Sequence, residues 1–468
     1  MRYRTPVAAA DRNERMLDDC VEHLRELIRI PSVNPPGVPE AAAGLDSMGG
    51  ELRAAAYCAD VLTAAGIEAE VLEEAPGRGN CVARLPATGP ETEPPLVLLN
   101  HIDVVPVDAA AWSRDPFGGE LIDGVVWGRG AVDMKHMAAM ELAVMLELHR
   151  SGAELKRDVI FAAVADEEAG GTDGASAVVD RHPGRFCDDR GRPAAAALNE
   201  VGGYSMTLDG RRFYTVQVAE KGIVWTRLST TGTPGHGSMP NPDNAAIKLA
   251  RATARLAAET QPARVIPVVR DFLSTLGLGE VAALAESDPD AATTALQASV
   301  SDPVLRRSLD AMLRDTVTPN VLSAGQKVNV IAGSGAAEVD VRTLPGTDQG
   351  ALLERIGQVV GDDAQVEPVV TLPPVEWPAD AEIVSLMFDA LRRADPDATP
   401  VPMMITPGTD AKHLLRLGIP TYGFAPLRLD GEMPFLSLFH AHDERVPVSA
   451  LAFGLPVLME VVERFAVR

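Results

Sequence analysis

Residues 96–99 form an uninterrupted apolar run that stops abruptly at Asn100, His101 and Asp103. A run this short cannot make a helix, and with no polar break it predicts a strand buried on both faces. Residues 159–165 and 194–198 repeat the pattern, the first ending in Asp166, Glu167 and Glu168, the second in Asn199 and Glu200. Residues 421–425 make the last such run, and F-H-A-H-D-E-R-V-P follows it. Weaker strands are expected near residues 68–72 and 80–85. Between the strands the period changes to that of a helix. Residues 12–30 carry Met16, Cys20, Leu24, Leu27 and Ile28 on one face, and further helices are expected over 50–65, 134–149, 383–393 and 449–465. The methionine stripe of the third helix, Met137, Met140 and Met145, reads as core filler.

From Arg211 the texture differs. Residues 213–229 alternate, with Tyr214, Val216 and Val218, then Val224, Thr226 and Leu228 on one side, as in a half-exposed antiparallel strand pair. Helices over 244–259 and 347–360 and strands over 336–342 and 365–371 complete a β-α-β-β-α-β order. The expected architecture is therefore α/β: a mixed-sheet domain with helices on both faces, interrupted by a smaller ferredoxin-like α+β domain. The boundaries fall at residues 1–209, 210–373 and 374–468, with Pro373, Pro374 and Pro378 in the linker. Residues 262–320 read as a helical, polar insert with no assigned role.

The composition narrows the partners. With 42 basic and 66 acidic residues among 468, the formal charge of -24 repels nucleic acid and anionic membranes. No apolar run is long enough for a membrane span, and the first residues lack the apolar stretch of a secretory signal. The 4 cysteines form no C-x-x-C pair, which points to reduced thiols in a cytoplasm and leaves His, Asp and Glu to hold any metal.

Taken singly, the polar strand ends have bland readings. His101 beside Asp103 suits a buried hydrogen-bonded pair, Asp133 suits a helix N-cap, and Asp166 to Glu168 suit a solvated turn. Their convergence is more informative, because ligands in an open α/β sheet gather at the carboxyl ends of the strands. His101, Asp133, Glu168 and Glu200, with either His440 or His442, make a set of two imidazoles and three carboxylates. That set suits zinc, with cobalt or manganese as alternatives. Three carboxylates exceed what one catalytic zinc takes, so two ions are expected, with Asp133 as the bridge. Asp103 stands behind His101 as its orienting partner, and Glu167 is placed to move the proton of an attacking water.

The motifs H-I-D-V-V-P, W-G-R-G-A-V-D-M-K, D-E-E-A-G-G, N-E-V-G-G, G-H-G-S-M-P, K-V-N-V-I to D-V-R, P-G-T-D-A-K and H-A-H-D-E-R follow one another in that order. In this the chain resembles the dinuclear zinc exopeptidase and amidohydrolase family, which includes acetylornithine deacetylase, succinyl-diaminopimelate desuccinylase, aminoacylase and carboxypeptidases G and S. The resemblance covers residues 30–446. It implies that His101 and Glu200 hold one zinc, that Glu168 and His440 hold the other, and that Asp133 bridges them. It makes Glu167 the general base, His236 and Asn329 residues of a lid domain that also forms a homodimer, and Arg342, Gly408 and Thr409 the holders of a substrate carboxylate. Lys412 stands where the family commonly has Arg, keeping the charge without the bidentate fork. N-V-I-A replaces the commoner N-V-I-P, and Val201 is an extra residue in N-E-V-G-G. Glu200, where aminopeptidase relatives use Asp, is similar to the carboxypeptidase and aminoacylase side. The expected substrate is an N-acyl amino acid or short peptide. The alternatives are an aminopeptidase or dipeptidase of the same family and a catalytically silent scaffold of the same fold.

Overall fold

The computed structural model describes residues 6–34, 49–89, 92–429 and 433–468. The chain divides into two compact units, one of Met1–Val218, Trp377–Pro402 and Thr409–Arg468, the other of Ala219–Glu376 and Met403–Gly408.

The first unit is built on a mixed sheet. Its strands run in the order Glu68–Ala75, Arg78–Leu85, Arg157–Val164, Glu93–His101, Ala196–Asn199, Thr421–Gly423 and Arg211–Glu220. The middle four are mutually parallel, and the strands flanking them are antiparallel. Parallel pairing puts the carboxyl ends of those four strands at one edge, which is where the apolar runs give way to His101, Glu167, Glu168 and Glu200. On one face Val97, Leu99, Ile160, Ala162 and Val164 pack with Val178, Val179, Leu414 and Ile419. Alternation along the strand turns Leu96 and Leu98 to the other face. The helix Lys135–Arg150 packs against that strand and against the helices Pro6–Ile28 and Val448–Ala466. Lys135–Arg150 is buried from Lys135 to Leu148, with Met137, Met140 and Met145 as core and small alanines between them.

One expectation is corrected here. Arg211–Glu220 and Gly222–Thr231 do not pair with each other; the first joins the large sheet and the second lies in a separate four-stranded sheet. The reason is burial. From Phe213 onward the first strand is buried on both faces, which suits a sheet interior, whereas the second alternates. The first compact unit includes this strand as far as Val218.

In the second unit the antiparallel order is Thr316–Ala324, Ser334–Thr343, Gly222–Thr231, Gln365–Leu372. Helices Ala245–Ala258 and Gln349–Val360 supply Leu249, Leu256, Leu352 and Ile356 to a core with Val224, Leu228, Val339 and Val341. Taken in chain order, the strands sit as second, third, first, fourth, the ferredoxin-like arrangement. Thr316–Ala324 lies partly inside what the sequence pattern assigns to the helical insert. As an edge strand it is largely exposed and accommodates Pro319, so it lacks the alternation that would mark it. The insert proper is four helices, Pro267–Thr275, Gly279–Leu284, Pro289–Ser299 and Pro303–Ala311, closed over Val269, Phe272, Leu273 and Leu296.

Candidate active site

His101 is the last residue of its strand, and its ring points across the edge of the sheet. Its Nε2 lies 3.2 Å from Asp133 Oδ1 and 3.7 Å from Glu200 Oε2. The other oxygen of Asp133, Oδ2, lies 3.0 Å from His440 Nε2, which is in turn 3.1 Å from Glu168 Oε2. Asp133 thus offers one oxygen to each of two imidazoles. It is not the N-cap of the following helix: Met134 occupies that position, and no side chain caps it. Both C-terminal histidines are exposed, and His440 is the one whose ring meets the acids. His440 turns inward from a left-handed backbone position, φ 59°.

The electrostatics describe a site short of positive charge. Burial, with Asp133 close by, pushes the Glu168 carboxyl up to about 7. Burial and the neighbouring Glu200 hold Glu167 well above the usual carboxylate range. Burial opposes a charge on His101, yet Glu200, Asp103 and Asp133 together draw its imidazole well above the ordinary histidine value. Glu168 Oε1 is buried without a hydrogen-bond partner. Donor atoms of His101, Glu167 and Glu200, and those of His101, Asp133 and Glu168, lie within 4.8 Å of one another in each group. An orphaned carboxylate oxygen amid crowded buried acids is what a divalent cation would satisfy, so the residues fit metal binding.

Asp103 ties these parts together. Its Oδ1 is 3.3 Å from His101 Nδ1, and its two oxygens accept the backbone N–H groups of Glu167 at 3.2 Å and Glu168 at 3.0 Å. Asn34 Nδ2 donates to Asp103 at 2.8 Å and to Asp166 at 3.1 Å, and Arg78 donates to Asn34 and to Glu51. The sequence pattern did not single out Asn34, Glu51 or Arg78, and no periodicity marks them. Glu200 is followed by Val201 at φ 56°, an unusual conformation for a β-branched residue. At the next position a Cβ would meet the Gly423 carbonyl oxygen at 1.9 Å, so only Gly202 fits. Beside Glu200 is a small apolar cavity lined by Val132, His136, Tyr204, Phe435 and Phe439. Thr409 Oγ1 accepts from Asn199 Nδ2 at 3.1 Å, and Lys412 is buried in the short helix Ala411–Leu414.

His236, Asn329, Arg342 and Gly408 belong to the second unit. There Gly235–His236 pairs with Val330–Ile331, and the Gly237 N–H donates to the Asn329 carbonyl at 2.8 Å, so His236 and Asn329 are neighbours. The Ser238 N–H donates to His236 Nδ1 at 3.2 Å, which leaves the ring proton on Nε2. Arg342 Nε is bonded to Asp340 at 2.7 Å.

A parallel sheet edge carrying imidazoles and carboxylates around a shared aspartate, on this two-unit fold, defines a metal-dependent hydrolase. The chain belongs to peptidase family M20/M25/M40, whose sequence model matches residues 97–464. It is 27% identical over 454 residues to aminoacylase-1 of Sus scrofa, covering 94% of each chain. It is 26% identical over 383 residues to a probable carboxypeptidase S-like protein of Dictyostelium discoideum, covering 76% of this chain and 69% of that one. Its fold is similar to that of an M20 family metallo-carboxypeptidase from Sulfolobus solfataricus, with TM-score 0.70, 18% identity and coverage of 95% and 99%.

Proposed function

We propose that the protein hydrolyses an amide or peptide bond next to a free carboxylate, in an N-acyl amino acid or a short peptide. The observation that carries this reading is Asp133, with one oxygen facing His101 and the other facing His440. His101, Glu200 and Asp133 would hold one divalent ion, and Glu168, His440 and Asp133 a second. Zinc is the first choice on donor chemistry, with cobalt and manganese as alternatives. When bound, such ions polarise a carbonyl and make water acidic near neutral pH.

The chain's own residues do the rest. Glu167 takes a proton from the attacking water as its oxygen adds to the carbonyl carbon, and returns it to the nitrogen as the C–N bond breaks. The Glu167 carboxylate donor lies with those of His101 and Glu200, beside the acids that would hold the ions. Asp103 keeps the His101 ring in one orientation. The family resemblance assigns Arg342, Gly408, Thr409 and Lys412 to recognition of a substrate carboxylate. His236 and Asn329, from the partner subunit of a homodimer, stabilise the oxyanion.

The homodimer reading is supported by the edge strand Thr316–Ala324 and its exposed Val321 and Leu322, with Val328 and Val330 exposed nearby. A cytoplasmic location is supported by four free cysteines, three of them buried. No helix among the described residues is long and apolar enough to cross a membrane. The charge of -24 speaks against nucleic-acid partners.

The deciding experiment is hydrolysis of a panel of N-acyl amino acids and dipeptides, with metal analysis, before and after chelation. Activity that survives complete metal removal sinks the proposal. Substrates with a blocked N-terminus separate it from the aminopeptidase reading, which needs the free amine.

A further inference from the structure

We propose that Glu444 is a positioning residue that holds Asp133 and His440 in register for the ion they share with Glu168. The inference rests on the two-ion reading above. Glu444 is fully buried and follows His440 in the same segment. Its side chain, however, serves the turn that carries Asp133. Oε1 accepts the N–H of Val132 at 2.6 Å and of Asp133 at 2.9 Å, and Oε2 accepts Arg129 Nη1 at 2.7 Å and the Gly130 N–H at 3.1 Å. The main chain of Glu444 is held too: its carbonyl accepts the Gly128 N–H at 2.9 Å, and Arg445–Pro447 pairs with Val125–Trp127. Arg129 closes the loop, with Nη2 3.5 Å from the His440 carbonyl and its guanidinium 5.2 Å from the Trp112 ring centroid.

One carboxylate with four donors therefore ties the backbone at Asp133 to the segment that presents His440. Each of its two oxygens accepts from two donors, so the arrangement uses both oxygens as acceptors. Glutamine has the same size but only one accepting oxygen, and its NH2 group would confront two N–H donors. The consequence is asymmetric. Asp133 and His440 depend on this clamp, whereas His101 and Glu200 are presented by strand ends of the large sheet.

The test is metal binding by Glu444→Gln, measured by refilling the chelated protein with zinc and by competition with a chromophoric chelator. The ion on Asp133, His440 and Glu168, two of whose ligands are clamped, should bind about 10- to 100-fold more weakly, and the ion on His101 and Glu200, which shares only Asp133, should weaken less. Turnover should recover as zinc is raised, with KM close to wild type. A purely structural role predicts something else: a lower melting temperature of the metal-free protein with both zinc affinities unchanged. That outcome overturns the proposal, and so does equal weakening of both ions. If Glu444→Gln does not fold, Glu444→Asp is measured in the same way, and two ions held as tightly as in wild type would again overturn it. A wild-type protein that binds no zinc would instead sink the two-ion reading, and the clamp's role with it.

Discussion

Asp133 Oδ2 stands 3.0 Å from His440 Nε2, joining a turn near the start of the chain to a loop near its end. Because Oδ1 faces His101 at 3.2 Å, the same carboxylate belongs to both halves of the donor set. Asp133→Asn replaces one accepting oxygen with a donor NH2 and cannot serve both. Metal analysis should find fewer than two ions per chain, and kcat should fall by more than about a hundredfold. Two ions at wild-type affinity would show that Asp133 is not shared.

Glu167 and Glu168 are adjacent in sequence, and the proposed mechanism gives them different roles. Glu167→Gln should leave metal content and KM near wild type while lowering kcat by about 10²- to 10⁴-fold. Glu168→Gln should lose metal as well as turnover. Equal metal loss in the two variants would remove the distinction between base and ligand.

Glu141 is fully buried in the helix Lys135–Arg150; its Oε2 accepts from Asn100 Nδ2 at 2.6 Å, and its Oε1 has no partner. Burial pushes its carboxyl well above the usual range. The folded protein therefore keeps this proton to a higher pH than the unfolded chain does. Stability from this group is fully present below the ordinary carboxylate value and is lost as pH rises towards the folded-state value. Glu141→Gln keeps the bond from Asn100 and removes the titration. Thermal unfolding should show the variant more stable than wild type at pH 8, with the gap closing towards pH 4. A gap independent of pH would mean that Glu141 is not held protonated.

The edge strand Thr316–Ala324 leaves Val321 55% and Leu322 53% exposed. Replacing both with Lys puts charge on the edge through which the proposed homodimer would pair. Sedimentation should show a dimer for wild type and a monomer for the double variant, with metal content unchanged. A monomeric wild type would exclude dimerisation through this edge and the trans placement of His236.

Much of the site could be read from the chain because a buried parallel strand writes itself as an unbroken apolar run, and its functional end is where that run stops. Leu96 to Leu99 before His101 and residues 159–165 before Glu167 and Glu168 are such cases. Thr316–Ala324 was harder. An exposed edge strand needs no apolar face, and Pro319 is tolerated there, so neither periodicity nor composition marks it. Arg211–Glu220 misled in the opposite sense, since its alternating apolar residues suggested a half-exposed hairpin. Gln217 and Thr215 are buried between them, and that is visible only in the packed sheet.

By itself the sequence determined most of the elements, their order and the chemical kinds of residue at each strand end, because burial on two faces selects apolar runs and their ends carry His, Asp and Glu. Only the tertiary structure decided which atoms meet: that each oxygen of Asp133 faces a different imidazole, and that Asn34, Arg78 and Glu444 stand behind them. Those relations join residues far apart in the chain, set by strand register and by buried hydrogen bonds, and no local pattern of hydrophobic and polar positions encodes them.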